Sequence, residues 1–268
     1  MKVAVLMCVY GGDDIVNFKE AVSSIVNQNI SKTVDIKIYL HVDGCLNTEL
    51  DDYINNAGLF HLIVRTKENI GLASGLNKLI AKLDDEELIF RMDADDIALP
   101  DRFMKQIDFM TQNLEIDFSG TAITEFCNYE SNIVSKRCYP EKHQSIVEML
   151  VRGSPFAHVT ICFRARIMSS DFYPTDCGTN EDIALWFKLI KLGYVAGNIS
   201  DETVNVRVTD MFSRRSYKKA IDEFNVYKQI CRWKGCLPTY ALMRFIFRLL
   251  PISIVKFFYQ SKFRSLLF

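Results

Sequence analysis

Short apolar runs and amphipathic helical patterns alternate without a break through the first third of this chain, and that rhythm leaves few folds open. Strand-like runs at Val3–Tyr10, Asp35–Val42, His61–Arg65 and Leu88–Met92 are separated by helical patterns over Ile15–Asn27, Thr48–Asn56 and Leu72–Leu83. Each strand–helix–strand step predicts a βαβ crossover, so the expected class is α/β with a doubly wound, mostly parallel sheet. Open sheets of this kind bind ligands beyond the carboxyl ends of their strands. Tyr10-Gly11-Gly12, Asp43-Gly44 and Asp93–Asp96 would all lie along that edge.

Beyond Asp96 the rhythm loosens. Leu99-Pro100-Asp101 opens a helix running to Asn113, a strand follows at Phe118–Phe126, and Asn128 to Ser135 is polar. A helix is expected at Gln144–Val151, a strand at His158–Phe163, an amphipathic helix at Asn180–Leu192 capped by Asn180 or Asp182, and a last helix at Tyr217–Trp233. There is no repeat and no Gly/Ser/Pro linker. One domain over residues 1–216 with an extension over 217–268 is therefore the simplest organisation.

A chain of 268 residues, 49% apolar and with a net charge of −1, is long enough to bury a large core and is not disordered. Its eight cysteines show no paired C-x-x-C and mostly sit in apolar surroundings, which reads as reduced thiols in a cytoplasmic protein. The opening strand is too short to span a bilayer and carries no cleavage pattern. Charge is unevenly shared: Leu237–Phe268 holds five cations and no acid, leaving 27 basic against 33 acidic residues upstream. The cations of that tail alternate with large aliphatics, and its seven-residue charge-free run from 249 to 255 falls short of the roughly 20 needed to cross a membrane. Either the tail lies on the headgroups of an anionic leaflet or it packs on the domain as a helical pair. An acidic body argues against nucleic acid as a partner.

Three carboxylates follow the apolar run Leu88-Ile89-Phe90, at Asp93, Asp95 and Asp96. Hard cations such as Mg²⁺ and Mn²⁺ take oxygen ligands, often one or two protein carboxylates with substrate phosphates filling the shell, so the spacing points to a phosphate-bearing ligand. The same acids would also suit a capped turn. Asp43 reads as an acceptor for a nucleobase N–H or as a turn residue before Gly44. Asn69-Ile70-Gly71 reads as a close approach of backbone to ligand or as a helix entry.

Taken in order, Val9-Tyr10, Asp43, the segment Asn69 to Asn77, Asp93-Ala94-Asp95-Asp96, and Asn180-Glu181-Asp182 leading into Leu185-Trp186 resemble the signatures of a family 2 glycosyltransferase. The resemblance covers roughly Met1 to Ser216 and is to the inverting members that assemble bacterial O-antigen, capsule and lipooligosaccharide. It implies the GT-A nucleotide-diphospho-sugar transferase fold, with a nucleotide-binding half near 1–113, an acceptor half near 114–216 and a C-terminal helical extension. It also implies a Mn²⁺ or Mg²⁺ cofactor held by Asp95, a nucleotide-sugar donor contacted by Val9, Tyr10, Asp43, Asn69, Gly71, Asp93 and Asp95, and Asp182 as general base. Glu181 and Trp186 become candidate acceptor contacts, although Trp186 on this helix also fits a core position. Arg214 and Arg215 become candidate diphosphate clamps, and fit equally the solvated start of a helix. Val206 and Asp210 depart from the family's Y-R-x-H-like pattern, and His158 reads as a structural histidine.

The activity so implied is transfer of a hexose or N-acetylhexosamine, from a UDP-linked donor in the first instance, to a lipid-diphosphate-linked or oligosaccharide acceptor, forming a β-linkage. The tail would then hold the enzyme at the inner leaflet of the cytoplasmic membrane. Two other readings remain. A sugar-1-phosphate nucleotidyltransferase would carry a basic Gly-rich loop where this chain has the acidic Gly11-Gly12-Asp13-Asp14, and a non-catalytic sugar-nucleotide-binding subunit would not need Asp95 and Asp182.

Overall fold

The computed structural model describes residues 1–127, 132–178, 180–208 and 216–250. Its first half follows the predicted rhythm: β1 (Lys2–Tyr10), α1 (Ile15–Val26), β2 (Asp35–Asp43), α2 (Thr48–Asn56), β3 (Leu62–Thr66), α3 (Leu72–Ile80) and β4 (Leu88–Met92). β1 pairs in parallel with both β2 and β4, and β2 with β3, so the order runs β3-β2-β1-β4. The chain winds outward from β1 to β3 and then crosses back to place β4 on the other side of β1. The carboxyl ends of β1 and β4 thus flank the point where winding reverses, which is where such sheets open a crevice.

Alternation along each strand explains the layering. Val3, Val5, Met7 and Val9 of β1 join a core with Phe18, Val22 and Ile25 of α1, whereas Ala4 and Leu6 face a second core containing Leu76 and Leu79 of α3. Both faces of the sheet are therefore covered. Local capping fixes where the helices begin: Asp14 accepts from the N–H groups of Val16 (2.9 Å) and Asn17 (3.0 Å), and Asn47 from that of Leu50 (2.9 Å).

The second half adds β5 (Ile97–Ala98), α4 (Arg102–Gln112), β6 (Phe118–Phe126), β7 (Ile133–Arg137), α5 (His143–Met149), β8 (Cys162–Arg164), α6 (Glu181–Lys191), β9 (Ala196–Arg207), α7 (Tyr217–Lys234) and α8 (Thr239–Leu249). The nine-stranded sheet continues β4-β8-β6-β9-β5, with β7 beside β6. Here β8 is antiparallel to both neighbours, β7 is antiparallel to β6, β5 is antiparallel to β9, and only β6 and β9 run parallel. The sheet is parallel across β1–β4 and mixed beyond them. The strand expected over His158–Phe163 is instead a 3₁₀ turn at His158–Thr160 followed by the three residues of β8. α6 packs on the face of α3, and its Leu185, Trp186 and Leu189 lie in the second core.

Candidate active site

The crevice is built at the ends of β1, β2 and β4 and at the start of α6. On the nucleotide side, Asp43 ends β2 and is buried. Its carboxylate accepts from the N–H groups of Ile70 (2.7 Å) and Gly71 (2.9 Å) and from the Thr66 hydroxyl (3.3 Å). Gly71, at φ +83°, turns the chain into α3 in a conformation that a side chain would strain. Asp43 thus fixes the Asn69-Ile70-Gly71 turn, and Asn69 itself is exposed on it. Val9 is buried in the first core, so it reaches the crevice only through its main chain. Tyr10 is 49% exposed and lies so close over Gly12 that a Cβ there would come within 2.5 Å of its ring.

At the end of β4, Asp93 receives both terminal nitrogens of Arg91 as a bidentate ion pair. Asp96 is buried and accepts from the main-chain N–H of Arg207 (2.8 Å), while the Asp95 carbonyl accepts from the Arg207 Nε (3.1 Å). Burial first, then the charges of Asp93 and Asp95, push the Asp96 carboxyl well above the usual range. Asp13, which the sequence presents as a turn residue, joins the same cluster. Burial, opposed by a hydrogen bond from the Tyr10 N–H (2.9 Å) and reinforced by Asp95 and Asp93, raises its carboxyl to about 6.

Among the described residues no three His, Cys, Asp or Glu side chains form a protein-only metal cage. The donor set present is of the other kind: the mutually repelling carboxylates of Asp93, Asp95 and Asp96 at a strand end, which suit a hard cation completed by phosphate oxygens. These residues fit Mg²⁺ or Mn²⁺ in that mode.

The opposite wall of the site is set by α6. Glu181 and Asp182 occupy its first turn, partly buried, where carboxylates complement the helix dipole. Burial raises both carboxyls; the local main-chain N–H groups and the nearby Arg91 charge oppose it, and Asp93 raises Glu181 further. Asp93 and Asp96 after β4 and the two α6 acids therefore share one electrostatic neighbourhood around Arg91. His158 is a satisfied structural group: its Nε2 meets the Tyr173 hydroxyl at 3.0 Å, and burial, then Arg91, keep its ring neutral.

Trp186 corrects the sequence expectation of an acceptor contact. It is 0% exposed, stacked on Phe118 and Phe163 and tilted against Phe156, because it lies with Ile183, Leu185 and Leu189 in the apolar stripe of α6 that packs into the second core. No face remains for a sugar. Arg214 and Arg215, and with them Asp210, lie outside the described residues. Three residues gained importance only in three dimensions: Arg91, Asp13 and Arg207. A charged residue ending an otherwise apolar strand was the one available signal for Arg91.

In the extension, α7 carries a buried Glu223 whose carboxylate pairs with Arg244 (2.6 Å) and Arg248 of α8. Two of the five tail cations are thus engaged with the domain, while Leu242, Met243, Ile246 and Leu249 of α8 remain exposed. No helix among the described residues is long and apolar enough to cross a membrane.

Crevice, acidic strand end and sheet order together define a GT-A nucleotide-diphospho-sugar transferase. The sequence matches the family model described as "Glycosyl transferase family 2" over residues 4–171, and the chain belongs to that family. It is 32% identical to an uncharacterized glycosyltransferase of Haemophilus influenzae over 99% of this chain and 100% of that one. It is 29% identical to the amylovoran biosynthesis glycosyltransferase AmsE of Erwinia amylovora (96% and 98% covered) and 27% identical to the UDP-Gal:alpha-D-GlcNAc-diphosphoundecaprenol beta-1,3-galactosyltransferase of Escherichia coli (99% and 98%). Among solved structures it resembles S. aureus TarS 1-349 in complex with UDP-GlcNAc, at TM-score 0.65 and 15% identity over 99% of this chain and 75% of that one. It also resembles the mannosyltransferase PcManGT of Pyrobaculum calidifontis in complex with GDP-Man and Mn²⁺, at TM-score 0.61 and 14% identity over 98% and 82%.

Proposed function

We propose that this glycosyltransferase moves a hexose or N-acetylhexosamine from a UDP-linked donor to a hydroxyl of a lipid-diphosphate-linked or oligosaccharide acceptor in cell-surface polysaccharide assembly, with inversion to a β-linkage. The observation that carries this reading is the gathering of Asp93 and Asp96 with Glu181 and Asp182 around one buried arginine at the switch point of the sheet. The relatives support it by name: one makes amylovoran, and another uses UDP-Gal and a diphosphoundecaprenol-linked acceptor.

Asp43 and the turn it fixes receive the nucleobase, with Asn69, Gly71 and the main chain of Val9 and Tyr10 around it, and Asp93 faces the ribose. Asp95 would hold a Mn²⁺ or Mg²⁺ ion, which would supply Lewis-acid neutralisation of the departing diphosphate. Asp182 accepts the proton of the acceptor hydroxyl as that oxygen bonds to the anomeric carbon. The bond from that carbon to the diphosphate oxygen breaks, and its electron pair leaves with the nucleotide. Glu181 orients the acceptor. Positioned proton removal of this kind contributes about 10²–10⁴-fold.

The exposed apolar face of α8 and the cations beyond it would hold the enzyme on the inner leaflet, each cation near an anionic surface contributing on the order of 1 kcal/mol. Replacing Leu242, Met243 and Ile246 with Gln should lower sedimentation with anionic vesicles; unchanged sedimentation would reduce α8 to a packing element. The function itself is tested by a donor panel, UDP- and GDP-sugars with Mn²⁺, Mg²⁺ or chelator, on a lipid-diphosphate acceptor. Metal-dependent, β-linked product from a UDP-sugar is expected, and α-linked product or metal-independent transfer would refute the reading.

A further inference from the structure

The reading above gathers acids around Arg91 but gives Arg91 itself no task, although it is a buried charge beside the crevice. It is 4% exposed at the end of β4, and its Nε is buried with no hydrogen-bond partner. Burying a guanidinium costs several kcal/mol unless it is paired, so a chain that keeps one here must gain something from its charge or its fork. Strand alternation shows where it points. Leu88, Phe90 and Met92 face the first core, so Ile89 and Arg91 face the opposite side, onto which α6 packs. Its main-chain N–H bonds the Ile161 carbonyl (3.0 Å), and its own carbonyl accepts from the buried Arg102 (2.7 Å), so the backbone that carries it is fixed.

Resting on the transferase reading, we propose that Arg91 is the positioning residue that joins the two halves of the site. Its guanidinium fork sets the Asp93 carboxylate for the donor, and its charge, facing the first turn of α6, keeps Asp182 ionised and ready to accept a proton. Of the groups facing Asp182, Arg91 is the cation of the sheet. Glu223 and Tyr227 face it from α7, Tyr139, Tyr173 and Cys177 from the connecting segments, and Glu181 from its own helix. The arginines of α8 are held by Glu223. Burial and the Glu223 charge favour the neutral form of Asp182, and the main-chain N–H groups of its own turn and the Arg91 charge oppose them.

The test compares Arg91→Lys and Arg91→Met in the full chain, read by steady-state kinetics from pH 5 to 9, UDP binding by calorimetry, carboxyl ¹³C titration of Asp182 and melting temperature. Lysine keeps the charge and loses the fork. Arg91→Lys should weaken UDP-sugar binding about tenfold while leaving the acid limb of kcat in place. Arg91→Met should weaken binding similarly and also move that limb, and the Asp182 titration, up by about one pH unit. If both variants change only the melting temperature, or if Arg91→Met leaves the Asp182 titration where it was, the proposal is overturned. Calorimetry and the ¹³C titration need no turnover, so they judge Arg91 even where the wild type transfers none of the sugars offered, an outcome that counts against the transferase reading instead.

Discussion

The main-chain N–H of Arg207 donates to the Asp96 carboxylate over 2.8 Å, tying the last residue of β9 to the acidic turn after β4, 111 positions away in the chain. The side chain of the same arginine donates to the Asp95 carbonyl (3.1 Å) and to Glu20 of α1 (2.7 Å), and lies 4.7 Å over the Phe126 ring. Arg207→Met keeps the main-chain bond and removes the brace on Asp95. Charged hydrogen bonds of this kind contribute about 1.5–3 kcal/mol, and a loss within that range is expected in denaturant unfolding. The half-saturating Mn²⁺ concentration for transfer should rise as well. A variant as stable as the wild type would show that the brace is not needed.

Asp13 makes the acidic cluster visible in stability. Its folded carboxyl is raised from 3.8 to about 6, chiefly by burial, so its favourable contribution is present below the unfolded value and is lost as pH rises through 6. Asp13→Asn should therefore melt higher than the wild type at pH 7, with the difference closing below pH 4. Saturating Mn²⁺ should narrow the gap at pH 7. Melting curves across that range check both statements, and a less stable Asp13→Asn at pH 7 would contradict them.

Gly75 reverses an expectation from helix propensity. Glycine inside a helix costs about 1 kcal/mol relative to alanine, so Gly75→Ala in α3 looks stabilising from sequence. In the structure the new Cβ would lie 2.4 Å from Nδ1 of the fully buried His41, whose Nε2 contacts the Thr66 hydroxyl beside Asp43. Overpacking of that sort costs about 1–3 kcal/mol, and the net result should be destabilising, with weaker UDP binding. A raised melting temperature would show that His41 gives way.

The extension should prove part of the folded unit. Replacing both Arg244 and Arg248 with Met leaves Glu223 buried and uncompensated. Breaking a fully buried pair costs about 3–5 kcal/mol, and the cost here should be lower because both arginines are a third exposed. Adding Glu223→Gln to the double variant should recover most of the loss, as urea unfolding would reveal. No recovery would mean that packing rather than charge holds α8.

How much of this was readable before folding depends on range. The elements from β1 to β4 follow from periodicity because each buries a face whose spacing is local, and the three acidic or glycine-bearing ends fall together because βαβ crossovers put them there. β9 was missed: its sequence from Ala196 to Arg207 is half polar, and its register against β6 shifts near Ala122. β7 is largely exposed and shows no alternation, and β5 has only two residues. In the candidate site, the place of Asp182 in the first turn of α6 was legible from the amphipathic run that follows it. Arg91 was not, since only the packing of α6 on one face of the sheet brings its charge toward the acids of that turn. Trp186 looked like a platform because an aromatic beside acids suits a sugar, and the depth of the second core decided otherwise.

The account rests on a division of labour within the crevice, Asp95 serving the donor diphosphate and Asp182 the acceptor hydroxyl. It is tested most directly by measuring initial transfer rates and UDP-sugar binding together for wild type, Asp95→Asn and Asp182→Asn. Asp182→Asn should bind donor like the wild type and transfer at least ~10²-fold more slowly, while Asp95→Asn should lose metal-dependent donor binding. Transfer by Asp182→Asn at the wild-type rate would contradict it.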